Sequence, residues 1–340
     1  MKKLVYLSFL SLLAISLTYA ADDPKKHLGI ATYSVKGLES DIEGTFKSLA
    51  EAGYVTMEIS NYNAQNGMVA GYKPADYTAL ASKYGLTIIS SHARARFDVK
   101  DEAATVAAWA KVFDDHKLMG AKYVIFPMNM WSGNFDVLKQ ECELMNKIGE
   151  AANQRGIKFG YHNHHMEFAT IAGTEQLYED YLIANTDPEK VIFQMDVYWV
   201  TQGGQDPVAY LKKYPTRFKL LHIKDDYVIG ESGKINYEAI FKQFYKNGNQ
   251  DWFVEIEDKQ TPEQREQSKA MMDGMKEMQA KGGSMEDFFK EMMKNRPAGQ
   301  GGGMPGAGPQ DPAIVAEKLK NSLDAIKLSA DYLKNSKFVK

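Results

Sequence analysis

The stretch "QRGIKFGYHNH", Gln154 to His164, contains the unit from which the rest of the chain can be read. A helical run ends on Gly156, the residue type that closes helices in the left-handed conformation. A short β-favouring run follows, Ile157 to His164. Residues two apart in a strand share a face, so His162 and His164 point the same way, and His165 starts the loop. Three of the chain's seven histidines thus fall within four positions. Taken alone, this fits a surface cluster, a metal site or an acid/base site.

The same unit recurs along the chain. Candidate strands are "LGIATYS" (Leu28 to Ser34), "YVTMEIS" (Tyr54 to Ser60), "LTIISSHA" (Leu86 to Ala93) and "AKYVIFPM" (Ala121 to Met128). After "IKFGYHNH" come "KVIFQMDVYW" (Lys190 to Trp199), "FKLLHIKD" (Phe218 to Asp225) and "WFVEIED" (Trp252 to Asp258). Helical segments separate them, such as Ile42 to Ala52, Glu102 to Leu118 and Phe135 to Gln154. Eight strand-helix alternations argue for a parallel sheet. In this length they predict an α/β fold of the closed (β/α)8 TIM-barrel kind, as a single domain spanning 26–340. The alternative is a doubly wound open sheet. It is weakened because no G-x-G-x-x-G follows the first strand.

One segment breaks the rhythm. From Gln260 to Pro312 the chain turns polar, helical and methionine-rich, holding eight of its seventeen methionines and ending in a Gly/Pro-rich tract. It reads as an insertion (260–312) after strand eight, on the active-site side of such a barrel, where a lid, an oligomer contact or a solvated excursion fits. Copper binding by the methionines is a weaker reading than apolar faces of two short helices. The last helix, Ala313 to Leu333, resumes the barrel pattern.

The N-terminus begins "MKKLVYLSFLSLLAISLTYAADD". Two lysines, an apolar run and the small-x-small pattern Thr18-Tyr19-Ala20 predict a cleaved signal peptide over 1–20. The apolar run is short for a membrane span, so no stable anchor and a periplasmic or secreted location are expected. A formal net charge of -3 with dispersed basic residues argues against nucleic acid as a partner. The single cysteine, Cys142, sits in the apolar pattern of a helix and is expected in the core.

In a parallel barrel the C-terminal strand ends share one face, where catalytic residues gather. Late in the strands stand His92 (third), His162 and His164 (fifth), Asp196 (sixth), His222 (seventh) and Glu255 (eighth), with Lys224 and Asp225 just beyond His222. Oxygen and imidazole groups arriving from several strands predict a site for one divalent ion, Mn2+, Mg2+, Co2+ or Zn2+. Each residue also has a plainer reading. Asp196 suits a helix N-cap, and His222 could be a satisfied core histidine. Glu255 is harder to dismiss, because it lies between Val254 and Ile256 and a buried carboxylate needs a partner. Glu257 is its rival on the same face. His116 and His27 are assigned to structure or solvent.

The motifs "YHNHHMEF", "FQMDVYWVTQGGQDPVAYLKKYP", "LLHIKD", "INYEAIFKQF" and "WFVEIED" follow in that order. Together they resemble the sugar phosphate isomerase/epimerase family with the xylose isomerase-like barrel, over Lys26 to Gln260 and the last helix. The resemblance implies one divalent metal held by Glu, Asp, His and Glu from successive strands. Asp196, His222 and Glu255 match the last three. The first place departs from the family, since strand five carries His162 there; either the nearest carboxylate, Glu167, swings in from the loop, which is the favoured expectation, or a histidine, His162 or His164, replaces it.

The implied reaction is proton abstraction next to a carbonyl through an enediolate, isomerising or epimerising a sugar. His162, His164, Lys224 and Glu255 are the candidate catalytic groups. His92, Trp199 and Asp225 are candidates for substrate contact, with Tyr198 beside Trp199 as a second stacking ring. An exported chain without a clear phosphate cradle points to a non-phosphorylated, oxidised (keto) sugar. Loss of a β-substituent from the same intermediate makes lyase or hydratase chemistry the alternative, and a non-catalytic sugar-binding protein is the alternative of another class. A homo-oligomer is compatible with all of these.

Overall fold

The computed structural model describes residues 26–280 and 311–340, together with 291 and 294. The predicted leader (1–20) and most of the predicted insertion lie outside these residues. The barrel strands are β1 (Leu28–Ala31), β2 (Tyr54–Ile59), β5 (Thr87–His92), β6 (Tyr123–Phe126), β7 (Lys158–His162), β8 (Val191–Asp196), β9 (Phe218–Ile223) and β10 (Asp251–Val254). They close in the order β1-β10-β9-β8-β7-β6-β5-β2, every pair parallel. The expected (β/α)8 barrel is therefore the fold. A two-stranded hairpin, β3 (Tyr62–Asn63) with β4 (Met68–Val69), is an addition after β2 that the sequence pattern did not show.

Helices cover the outside: α1 (Ile42–Ala52), α2 (Pro74–Lys83), α3 (Glu102–Leu118), α4 (Phe135–Asn153), α5 (Tyr178–Asn185), α6 (Val197–Gln202), α7 (Pro207–Lys213) and α8 (Tyr237–Lys246). After β10 the insertion opens with α9 (Pro262–Ala280), helical as expected. The C-terminal helix, Pro312–Asn335, buries Ala325, Ile326, Ala330 and Leu333 and fills the barrel's last helical place. Tyr54 Oη donates to the carbonyl of Ile326 (3.1 Å), tying that helix to β2. No helix among the described residues is long and apolar enough to cross a membrane. Cys142 and His116 are both buried in helices, the latter with Nδ1 2.6 Å from the carbonyl of Val112.

The barrel interior is layered. Ala31, Ile89, Ile125, Ile192, Leu220 and Phe253 pack into an apolar plug, separate from the larger core between sheet and helices. Gly160 belongs to the same level, and a Cβ there would lie 2.8 Å from Ile125 Cδ1 and 2.8 Å from Ile192 Cγ1. Side chains in a strand alternate between faces, so the next inward positions are two residues further on. From Gly160, Ile192, Leu220 and Phe253 that step leads to His162, Gln194, His222 and Glu255. A second step reaches His164, Asp196, Lys224 and Glu257. The plug thus forms the floor beneath a polar layer at the C-terminal mouth. On β5 the register shifts opposite Met57 and Glu58, leaving Ile89 as an extra residue, so Ile89 joins the plug while Ser90 meets Glu58.

Candidate active site

Turn chemistry at the strand ends sets the functional side chains. β7 stops at His162, earlier than expected, and the chain turns through His165–Phe168. β8 stops at Asp196, whose Oδ1 accepts from the N–H groups of Tyr198 and Trp199 (2.9 Å each) and starts α6. The N-cap reading of Asp196 is therefore correct, but it uses only one oxygen. Oδ2 is buried with no hydrogen-bond partner. Burial pushes this carboxyl up to about 7. A buried, unpartnered carboxylate oxygen is costly unless a proton or cation meets it.

Three other groups meet it. His162, Asp196, His222 and Glu255 each offer one ligand atom, all within 4.8 Å of one another and all buried. Glu255 Oε2 lies 2.7 Å from His222 Nδ1, yet that nitrogen has no aligned hydrogen bond. Lys224 Nζ holds Glu255 through Oε1 (2.6 Å) and Glu257 through Oε1 (2.7 Å), and sits 4.7 Å from the centre of the Trp199 ring. Burial raises the pKa of Glu255, but Lys224 and His222 outweigh it and keep the carboxylate ionised. Two imidazoles and two carboxylates form a donor set suited to Mn2+, Co2+ or Zn2+. The four residues fit a divalent ion.

Beneath them runs a network that the sequence reading missed. Glu58, fully buried at the end of β2, accepts from Ser90 Oγ (2.6 Å) and Gln194 Nε2 (2.8 Å). Its Oε1 lies 2.5 Å from His222 Nε2 and 3.0 Å from His92 Nε2. Burial raises the Glu58 pKa, but His92 and His222 bring it down to about 2. An ionised carboxylate only accepts, so Gln194 must present Nε2 to Glu58 and Oε1 to the histidines. Gln194 Oε1 is 2.7 Å from His92 Nε2 and 2.9 Å from His162 Nδ1. His162 Nδ1 therefore carries the proton, and Nε2 presents its lone pair 4.0 Å from Asp196 Oδ2. His222 likewise gives its Nε2 proton to Glu58 and turns Nδ1 to Glu255. Burial lowers the His222 pKa, but Glu58 and Glu255 raise it to about 10, so Nδ1 holds a proton unless another cation replaces it. Orienting partners of this kind commonly fix metal-binding histidines.

Glu167 is not brought to this cluster, which corrects the expected ligand set. It is buried in the turn after β7, accepting from Tyr161 Oη (2.6 Å) and the His164 N–H (2.7 Å). Tyr161 Oη in turn accepts from Trp131 Nε1 (3.0 Å) and the Asn129 N–H (3.2 Å). Glu167 thus anchors two loops, and the fourth group of the cluster is His162 from β7. Asp225 is likewise engaged in its own loop. It is buried, accepting from the N–H groups of Asp226 (2.8 Å) and Gly230 (2.9 Å). His165 stands at the rim beside Trp199, ring centres 5.3 Å apart.

The cluster opens into a cavity of about 360 Å3 whose lining includes Tyr33, His92, Arg94, His162, His164 and Glu255. Trp199 stands behind it, 5.8 Å from the His164 ring. His164 Nδ1 is buried at the start of the turn His165–Phe168. Burial first, then Lys224, push the His164 imidazole down to about 3, so it is neutral across physiological pH. Glu257, the rival of Glu255, lies further out and accepts from Tyr33 Oη (3.1 Å). The arrangement can hold a cation, position a small polar ligand above it and move a proton on or off that ligand.

Comparisons with known proteins agree with this fold. The sequence pattern of the family described as xylose isomerase-like TIM barrel matches residues 46–278. An inosose dehydratase of Clostridium botulinum is 25% identical over 264 residues, covering 66% of this chain and 85% of its own. A crystal structure of a sugar phosphate isomerase/epimerase from Parabacteroides distasonis superposes with a TM-score of 0.73 at 28% identity, covering 94% of this chain and 100% of that one. The IolI protein, solved with a binding zinc atom, shares the fold, with a TM-score of 0.53 at 15% identity over 68% of this chain and 88% of that one.

Proposed function

The chain belongs to the xylose isomerase-like TIM-barrel family, and on that premise we propose that it is a divalent-metal-dependent enzyme that removes the proton next to a carbonyl of a keto sugar. The observation that carries this reading is the meeting of His162, Asp196, His222 and Glu255 at the barrel mouth, with Asp196 Oδ2 buried and unpartnered. These four would hold the ion. When bound, it supplies the Lewis acidity that makes a proton next to a carbonyl removable. Glu58 and Gln194 hold the two imidazoles in the tautomers that ligation needs. His164, neutral and lining the cavity, is placed to take the proton. Lys224 keeps Glu255 ionised and supplies positive charge beside the site where negative charge develops.

Return of the proton to another face or carbon gives an epimerase or isomerase. A second reading, loss of a β-hydroxyl from the same carbanion, is favoured by the inosose dehydratases that this chain resembles. The N-terminal leader pattern supports export, and with it a non-phosphorylated substrate.

The test is solvent exchange. The mature chain loaded with Mn2+ is incubated in D2O with 3-keto-glucose and with a keto-inositol. Deuterium entering the recovered sugar, absent in His222→Ala and strongly slowed in His164→Ala, is the expected result. Release of water with formation of a hydroxy-enone, or of the saturated 1,2-diketone that is its tautomer, selects the dehydratase. No exchange with either sugar, despite bound metal, would overturn the proposed chemistry.

A further inference from the structure

The cavity above the cluster carries one positive charge that no described residue answers. Lys224, at its base, is held by Glu255 and Glu257. Lys36, near the rim, lies 3.9 Å from Glu257 and 3.8 Å from the centre of the Tyr33 ring. Arg96, two residues past Arg94, is paired with Asp98 (2.7 Å) and Asp101 (3.2 Å). Arg94 differs from all of these. It lies two residues past the end of β5, is exposed, lines the cavity with His92 and His164, and has no hydrogen bond or ion pair with any described residue.

We propose that Arg94 anchors a carboxylate at the end of the substrate remote from His162, Asp196, His222 and Glu255, so that the site takes acidic sugars of the uronate type. This rests on the reading of the site as a sugar enzyme and adds the substrate class to it. A guanidinium offers two parallel N–H donors that match a carboxylate, and such charge-assisted pairs are stronger than neutral hydrogen bonds. A cavity of about 360 Å3 suits one small ligand, which can reach the cluster at one end and Arg94 at the other. The half-exposed ring of Tyr33, on the same wall, offers a face for the sugar between them. One free cation answers a monoanion. A phosphate dianion would call for further unpaired donors, and among the described lining residues Arg94 is the only unpaired cation.

Isothermal titration of the full, Mn2+-loaded chain with D-glucuronate, D-glucose and D-glucose 6-phosphate tests this without turnover. Wild type is expected to bind glucuronate roughly tenfold to a hundredfold more tightly than glucose, the range of a hydrogen-bonded charge pair. Arg94→Gln should abolish that difference while leaving metal content and glucose affinity unchanged, and Arg94→Lys should restore part of it. Glucuronate bound no more tightly than glucose by wild type overturns the proposal. So does a preference that survives in Arg94→Gln, which would place the carboxylate elsewhere, or tighter binding of the phosphate ester through Arg94. Because binding is read alone, failed deuterium exchange would remove the catalytic reading and leave this one standing. Equal binding with exchange intact would remove only the anionic subsite.

Discussion

At the scale of single residues, the site depends on a carboxylate that touches no substrate. Glu58 fixes His222 directly and His162 through Gln194, so Glu58→Gln should turn one donor toward a nitrogen that must itself donate. Loss of such orienting partners typically weakens metal binding roughly tenfold to a hundredfold. Competition titration of Mn2+ or Zn2+ is expected to show that loss with a circular dichroism spectrum unchanged from wild type. Glu167 makes the opposite case. Glu167→Ala should leave metal affinity intact but strand Tyr161 Oη and the His164 N–H, costing about 1–3 kcal/mol for each buried group in urea denaturation. Both outcomes concern residues the sequence handled unevenly. Glu255 is conspicuous as a charge inside an apolar strand, and the same reasoning applies to Glu58 in "YVTMEIS", where its partners come from strands far away in sequence. Glu167 lies close to the site in sequence, but the turn after β7 directs it to Tyr161 instead.

At the scale of elements, the layering of the barrel was half legible. Strand order and helix ends follow from local signals: Gly156, with φ 75, closes α4 where the sequence placed the stop. The alternation Ile192-Gln194-Asp196 and Leu220-His222-Lys224 already carries the step from plug to ligand to mouth. What it does not carry is the extra residue at Ile89, which exchanges the faces of β5 and sends Ser90 to Glu58. Such a shift depends on pairing between strands. Nor does periodicity show why strand five has glycine at the level of the plug. Gly160→Ala would force a methyl against Ile125 and Ile192, and overpacking of this kind costs about 1–3 kcal/mol. Ile125→Val in the same chain is expected to recover part of that loss in urea denaturation.

At the scale of the whole molecule, burial of ionisable groups links folding to pH. Burial raises the carboxyls of Glu141 and Glu167 to about 7 from an ordinary value of 4.5. A carboxyl raised in the folded state stabilises it fully below the unfolded value, and that contribution is lost as pH rises through the folded value. Between pH 4.5 and about 7, Glu167→Gln should therefore gain stability relative to wild type, as read from urea midpoints at each pH. A constant difference would mean that Glu167 does not titrate in that window. The fold as a whole was readable because eight local units repeat, whereas the set of partners at the mouth is fixed only when the barrel closes and β2 comes round to face β9. That closure is what brings four distant residues together at the proposed metal site. Metal stoichiometry after Mn2+ loading and desalting tests this most directly, measured by elemental analysis on wild type, Asp196→Ala and Glu167→Ala. One ion per chain in wild type and Glu167→Ala, lost in Asp196→Ala, is the expected result. No ion in wild type, or retention in Asp196→Ala with loss in Glu167→Ala, would contradict it.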